Sequence, residues 1–369
     1  MLLATLALLL ALPAAPGETV RIAVGRFPDV VEVKAQGLVI IADGKSTPAD
    51  KGVVRLSAGK SGPKLGGREF GGRELRGDVV RLEAPGTLTL RGHGYRQKLE
   101  VQWRRYDGKP ELLVVHPLDL ETYVAGIVSS ELPGGWPLEA YKAQAVAART
   151  FALWQKYRRL DLPYHMEASV LDQVYHGVER EHALAHQAAQ ETAGQVLTFR
   201  HVVAQAYFHA SCGDRTESAR EGWGTELPYL PGSQCGMCKL ATRYGWSARI
   251  ARADVERALQ PLLGESVVSL SITGKTASGR AKDVQLVGKT KKRTITAADL
   301  RRLLGYSTLW STFIDKLELK GDALVAHGKG SGHGVGLCQW GARGMADAGR
   351  RYDDILATYY PGATLRRVY

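Results

Sequence analysis

The chain has few cysteines and, beyond its first residues, no long apolar run. Of its 369 residues 4 are cysteine, and after residue 17 no segment reaches the ~18 uninterrupted apolar residues that a transmembrane helix needs. Lysine and arginine are missing before Arg21, although residues 2–12 form an apolar run of signal-peptide length followed by small residues. We therefore expect residues 1–17 to be a signal peptide and the mature chain to be exported to the periplasm, cell wall or extracellular space, without a transmembrane span. A retained short anchor is the alternative.

The chain has fewer acidic than basic residues. It contains 37 Asp and Glu and 49 Lys and Arg, which give a net charge of +12. A basic surface attracts polyanions, which for an exported protein are cell-wall polymers and lipid head groups. The positive charges are dispersed, and only residues 289–293 form a dense run. This distribution favours a cell-wall partner over a nucleic acid.

Hydrophobic patterning predicts an α+β fold. Alternating or short apolar runs predict several strands before residue 110. This β-rich region precedes segments whose apolar residues recur at helical spacing and predict long helices. Residues 253–320 alternate helical and strand-like patterns and predict a small α+β insertion. We place the boundaries at 18–110 for the β-rich region, 111–250 for the core, 251–325 for the insertion and 326–369 for the end of the core.

Prolines delimit the segment that carries the main candidate residue. Pro117 is expected to open a helix that ends near Glu131, because Pro133 restricts the backbone of the residue before it. Pro137 is expected to begin the next helix. Glu131 would then lie at a helix C-terminus, where the helix dipole and partial burial would raise its pKa towards that of a general acid.

The second helix carries two cations on one face. Lys142 and Arg149 are seven residues apart, so they lie about 10 Å from each other along the same side of a helix. They form a cationic stripe that would face the same cleft as Glu131. The alternative is an ordinary solvated helix face.

Three motifs in a fixed order carry a resemblance to a known family. They are the block at 116–153 with Glu131-Leu132-Pro133, the polar loop at 208–224, and the segment at 328–361, which contains Gly-His-Gly-Val-Gly-Leu-Cys-Gln-Trp-Gly-Ala. In these motifs the chain resembles the SpoIID/LytB domain family, named for a stage II sporulation protein. The similarity extends over about residues 22–365.

The resemblance implies a lytic transglycosylase that acts on the glycan strands of bacterial peptidoglycan. Such enzymes cut the MurNAc–GlcNAc linkage without water and leave 1,6-anhydro-MurNAc ends. The family's catalytic acid falls in the Glu-Leu-Pro motif, which here is Glu131, and no cofactor is required.

Further site residues follow from the resemblance. Lys142 and Arg149 would bind substrate carboxyl or hydroxyl groups, Ser211 and Thr216 would hydrogen-bond sugars, and His333 and Gln339 would line the cleft on the glycine-rich loop. Loop capping is the alternative role for the last two.

Two other functions remain open. Relatives of the LytB type are described as amidase enhancers, so the chain would instead bind glycan and activate a cell-wall amidase. A hydrolytic muramidase would need a second carboxylate near Glu131, and Asp119, Glu121 and Glu139 are the candidates.

The four cysteines allow disulfides, a metal site or free thiols. An exported chain with an even number of cysteines favours disulfides. Cys235 and Cys238 have zinc-ligand spacing, and His209 with Cys212 upstream would complete a structural zinc site. A nucleophilic Cys338 beside His333 is a further alternative. Some family members carry a different zinc motif, but its counterpart around His165 lacks cysteine, so we do not expect that site.

Overall fold

The computed structural model describes residues 17–49, 51–66, 72, 74–168, 173 and 175–369. Residues 1–16 of the expected signal peptide lie outside the described part. Helices and strands are mixed along the chain, which confirms the predicted α+β class. The described helices are α1 (Leu120–Glu131), α2 (Leu138–Arg158), α3 (Ala183–Glu191), α4 (Ala219–Trp223), α5 (Arg252–Leu263), α6 (Ala297–Leu304), α7 (Gln339–Asp347) and α8 (Tyr352–Tyr359).

The strands fall into one large sheet and several small ones. They are β1 (Thr19–Phe27), β2 (Val30–Lys34), β3 (Val39–Ala42), β4 (Lys45–Pro48), β5 (Val53–Ala58), β6 (Pro63–Gly66), β7 (Val79–Leu90), β8 (His93–Tyr106), β9 (Lys109–Asp119), β10 (Met166–Glu167), β11 (Gln195–Phe199), β12 (Val202–Val203), β13 (Phe208–His209), β14 (Gly245–Ala251), β15 (Ser269–Lys275), β16 (Ala281–Val287), β17 (Lys292–Thr296), β18 (Ile314–Lys320), β19 (Ala323–Lys329), β20 (Leu337–Cys338) and β21 (Thr364–Arg367).

The large sheet comprises β1 to β10 in the described part of the chain. Its strand order is β10-β1-β9-β8-β7-β2-β5-β6, and β3 joins it through β7 and carries β4. Every pairing is antiparallel except that of β1 with the short β10. Alternation along β7 buries Val80 and Leu82 and exposes the residues between, as expected for a sheet with one face on a core.

Helix α1 begins later than the sequence predicts. Strand β9 continues through Pro117, which lies opposite Arg21 on β1, and the helix starts at Leu120. The reason is Asp119, whose side chain accepts a hydrogen bond of 3.0 Å from the Thr122 amide and so caps the first turn. The predicted end is confirmed, because Glu131 is the last helical residue and Leu132 is extended ahead of the proline.

Residues 245–329 have a core of their own. Strands β14, β19 and β18 form one sheet and β15, β16 and β17 another, with α5 and α6 packed beside them. Val255, Leu259 and Leu300 lie in the buried cluster between these elements. Helix α6 begins directly after Thr296, whose hydroxyl accepts a hydrogen bond of 3.0 Å from the Asp299 amide and caps the first turn.

A short parallel pairing joins two distant segments of the core. Strands β13 and β20 pair so that His209 lies opposite Cys338, and α7 follows β20 directly. Among the described residues, none of the helices has both the length and the apolarity needed to cross a membrane.

A buried ion pair connects α1 to α2. The Arg149 guanidinium, whose side chain is 0% exposed, donates to both oxygens of Glu121 at 2.8 and 2.5 Å. Its remaining donors reach the Ala189 and Gln195 carbonyls. Burial alone would raise the pKa of Glu121, but the guanidinium together with hydrogen bonds from two further donors outweighs this effect and lowers that pKa. The stabilisation is therefore present at neutral pH and is lost in acid, as Glu121 becomes protonated.

We predict that Arg149→Met lowers the free energy of unfolding by about 3–5 kcal/mol, because it leaves the largely buried Glu121 charge without its partner. Chemical denaturation at pH 7 measures this loss. The control is Arg257→Met, which breaks an exposed pair with Asp254 and should change stability by no more than about 1 kcal/mol. Equal effects of the two substitutions would contradict a structural role for Arg149.

Candidate functional site

The site is centred on Glu131 at the end of α1. Its side chain is partly exposed, and its Oε2 atom accepts a hydrogen bond of 3.1 Å from the Nε2 atom of Gln339. Gln339 is the first residue of α7 and is only 5% exposed. The structure thus brings together two of the residues that the sequence singled out, although 208 positions separate them.

A second amide lies behind this pair. Gln144 on α2 is 1% exposed, and its Oε1 atom lies 3.5 Å from Nε2 of Gln339. Sequence reasoning missed Gln144. The available signal was its position between Ala143 and Ala145 in the apolar part of α2, because a buried polar side chain in an apolar stretch needs a hydrogen-bonding partner.

Two tryptophans tie the turn after Glu131 to α7. The Trp136 and Trp340 rings meet edge to face with centroids 5.0 Å apart. The Arg343 guanidinium lies 5.3 Å from one ring centroid and 5.0 Å from the other. These contacts, also missed in the sequence, hold the Gly134-Gly135 turn against the helix that carries Gln339.

The predicted cationic stripe does not face Glu131. Lys142 pairs with Glu139 at 2.9 Å and with Glu191 at 2.7 Å, and Arg149 is buried against Glu121. Seven-residue spacing correctly places both on one face of α2, but that face packs against α3 and α1. Neither cation is placed to bind a substrate beside Glu131.

Ser211 and Thr216 are also engaged within the protein. Ser211 is 2% exposed and its backbone pairs with Ser331. Thr216, equally buried, accepts a hydrogen bond of 2.6 Å from the Ser233 amide. These contacts order the loop, and binding of sugars by the two hydroxyl groups stays a prediction.

His333 lies in a different place from Glu131. Its Nε2 atom is 2.8 Å from the Phe208 carbonyl and its Nδ1 atom is 3.1 Å from the Val335 amide, so Nε2 carries the proton of a neutral ring. Burial lowers the pKa of His333 to about 4. The ring lines a cavity of about 670 Å³ with Trp223 and Arg280, and Glu131 is not part of that lining. The loop-capping interpretation fits these contacts.

The three candidate second carboxylates each interact with other groups of the protein. Asp119 caps the first turn of α1 and Glu121 pairs with Arg149. At 1.5 Å per residue they lie about 18 and about 15 Å along the helix from Glu131. Glu139 binds Lys142 and the Tyr352 amide. The geometry of a two-carboxylate glycosidase, with at most about 9.5 Å between the groups, is not met by the first two.

All four cysteines of the chain are buried free thiols that lie together. The sulfur atoms of Cys212, Cys235, Cys238 and Cys338 are within 4.8 Å of one another. The disulfides that the sequence favoured are not formed. His209 is not among the ligand atoms of this group. Its Nδ1 atom contacts the Val335 carbonyl at 3.1 Å, and its Nε2 atom is buried without a hydrogen-bond partner among the described residues. The structure brings Cys338, and not His209, into one group with the other three candidate ligands.

Comparisons with known proteins agree with this architecture. The family model for stage II sporulation protein matches residues 108–199, and a domain of unknown function, DUF8618, matches residues 237–336. An uncharacterized protein of Brachyspira hyodysenteriae is 33% identical over 259 residues, which cover 69% of this chain and 68% of that protein. Stage II sporulation protein D of Bacillus subtilis is 30% identical over 266 residues, covering 68% of this chain and 75% of the relative. The chain belongs to the stage II sporulation protein D family.

A further relative has a different name. The amidase enhancer of Bacillus subtilis is 26% identical over 293 residues, which cover 65% of this chain and 40% of that protein.

We predict that His333 makes stability fall as the pH decreases from about 6.5 to about 4. The folded protein holds this ring neutral with a pKa of about 4, whereas the unfolded chain takes up the proton near 6.5. The slope reaches about 1.4 kcal/mol per pH unit for one such group. Urea midpoints measured across this range should depend less on pH for His333→Gln than for wild type, and His327→Gln, at an exposed position on β19, is the matched control. Parallel profiles for all three proteins would contradict the prediction.

Proposed function

We propose that this protein is a lytic transglycosylase that cleaves the MurNAc–GlcNAc bond of peptidoglycan glycan strands, with Glu131 as its single general acid and base. The observation that carries the proposal is the Glu131 carboxylate, partly exposed at a helix end and held by Gln339 from the glycine-rich loop. Membership of the stage II sporulation protein D family supports the same substrate class.

The chemistry needs one carboxyl group. Protonated Glu131 donates its proton to the glycosidic oxygen as the bond between that oxygen and C1 of MurNAc breaks. The resulting carboxylate then takes the proton from the C6 hydroxyl of the same sugar while O6 bonds to C1. The products are a free hydroxyl on GlcNAc and a 1,6-anhydro-MurNAc end, and Glu131 regains its proton without a cofactor or water.

The positions of the other carboxylates favour this route over hydrolysis. A hydrolase of the usual kind needs a second carboxyl group to activate water or to form a covalent intermediate. Asp119 and Glu121 are too far along α1, and Glu139 is held by Lys142 and a backbone amide. An attacking hydroxyl within the substrate removes the need for any of them.

Activation of a cell-wall amidase is the second candidate function, and the similarity to a protein named amidase enhancer supports it. In this role the chain binds glycan, aided by its net charge of +12, and Glu131 need not react. Both functions place the protein at the cell wall after export of the mature chain.

We predict that the mature protein releases 1,6-anhydro-muramyl products from purified peptidoglycan and that Glu131→Gln releases none. The amide keeps the size of the side chain but cannot donate and accept the proton. Mass spectrometry of digests of intact and peptide-stripped glycan detects the products. The matched control is Glu318→Gln, which removes an exposed carboxylate on β18 and should leave cleavage unchanged.

The alternatives give different products. Reducing ends in the wild-type digest would indicate a hydrolytic muramidase. Binding of glycan by wild type and Glu131→Gln alike, without cleavage by either, would contradict catalysis and favour the amidase activator.

We predict that Gln339→Ala lowers the turnover rate by about 10- to 100-fold, because the carboxylate loses a donor that helps to fix its position. Loss of this donor also destabilises the ionised form, so the pH at which activity declines on the alkaline side should move upwards. Steady-state rates across a pH series test both effects. A rate that falls without any displacement of the pH profile would indicate a purely structural role for Gln339.

A further inference from the structure

The cysteine cluster joins three segments of the chain. Cys212 follows β13, Cys235 and Cys238 lie in the loop between α4 and β14, and Cys338 is the last residue of β20. We propose that these four thiols bind one structural zinc ion as four thiolate ligands. The site itself does not depend on the proposed function.

The sulfur geometry fits a single tetrahedral ion. Zinc–sulfur bonds of about 2.3 Å place the sulfurs of a tetrahedral site about 3.8 Å apart. The Cys212 and Cys238 sulfurs are 3.6 Å apart, and the whole set lies within 4.8 Å. Two disulfides would instead bring the sulfurs into pairs about 2 Å apart. An iron–sulfur cluster would need room for a cage of several atoms between them.

Hydrogen-bond donors surround the sulfurs as they do in thiolate sites. The backbone amides of Cys212 and Gly341 both donate to the Cys338 sulfur at 3.3 Å. The Tyr359 hydroxyl lies 3.1 Å from the Cys235 sulfur. Such outer contacts orient metal ligands and stabilise the negative charge on sulfur.

A buried cation balances part of the charge. Four thiolates around a divalent ion carry a net charge of −2, which is unfavourable in an apolar core. Arg280 is 2% exposed and donates to the Cys212 carbonyl at 2.7 Å and to the Arg215 carbonyl at 2.9 Å. Arg280 lies in the turn between β15 and β16, which belongs to the unit at 245–329. That unit therefore contributes to the charge balance of the site.

The location explains what the ion does. The thiols lie in the same buried cluster as Val146 of α2 and Ile355 of α8. The Cys338 sulfur also caps α7, whose first residue is Gln339. The zinc ion therefore fixes the loops that carry Cys212, Cys235 and Cys238 to the start of α7. Any effect of the ion on Glu131, transmitted through Gln339, rests on the proposed function.

Metal analysis of the mature protein tests the site. Protein made in zinc-supplemented medium and purified without chelator should contain one zinc ion per chain and no disulfide, by elemental mass spectrometry and non-reducing peptide mapping. Cys338→Ser should lower the zinc ratio to near zero. The matched control is Met237→Ala, which changes an exposed residue between Cys235 and Cys238 and should keep the ion.

Cobalt substitution provides a readout that does not require a folded variant. Wild-type protein reconstituted with Co²⁺ should show tetrahedral d–d bands and thiolate-to-cobalt charge transfer with the intensity of four sulfur ligands. Metal-free protein with two disulfides would overturn the proposal, and so would bound iron in place of zinc. Retention of zinc by Cys338→Ser together with its loss from His209→Gln would show that the ligand set is wrong.

Discussion

The hydrogen bond between Gln339 and Glu131 sets the strictest constraint on this fold, because it joins a helix end to a helix start 208 positions later. Helix α1 must stop at Glu131, and the extended Leu132 ahead of Pro133 ensures that it does. Helix α7 must start at Gln339, and the Cys338 sulfur caps it through the Gly341 amide. An error of one residue at either end would rotate the side chain by about 100° around its helix.

Helix α2 supports the contact between Gln339 and Glu131. It contributes Gln144 to the site and Arg149 to the pair with Glu121 on α1. An arginine in a core is tolerated only when its donors are satisfied, and here carboxylate and carbonyl oxygens accept from all three of its nitrogen atoms. The same helix therefore fixes the direction of α1 and supplies the amide behind its last residue.

Local signals predicted helix ends well but did not predict what packs on each helix. Pro133 predicted the end of α1 at Glu131, and Pro137 predicted the start of α2, which begins at Leu138. By contrast, spacing placed Lys142 and Arg149 on one face without indicating that α3 and Glu121 cover it. Capping is decided by neighbours within four residues, whereas the surroundings of a helix face depend on partners 28 or more positions away, such as Glu121 and Ala189 for Arg149.

The cysteines show the same limit of local sequence signals. The Cys-x2-Cys pair is a local signal in the sequence. Whether His209 or Cys338 joins it depends on how β13 and β20 pair, because these two residues lie opposite each other in that pairing. The parallel pairing directs the two side chains to different neighbours: His209 to the Val335 carbonyl and Cys338 to the other sulfurs. Residues 210–244 contain only the five-residue α4 as a named helix or strand, so backbone ladders alone cannot order this segment. Side-chain links such as Thr216 to Ser233, the Arg280 contacts and the sulfur cluster must supply the remaining order.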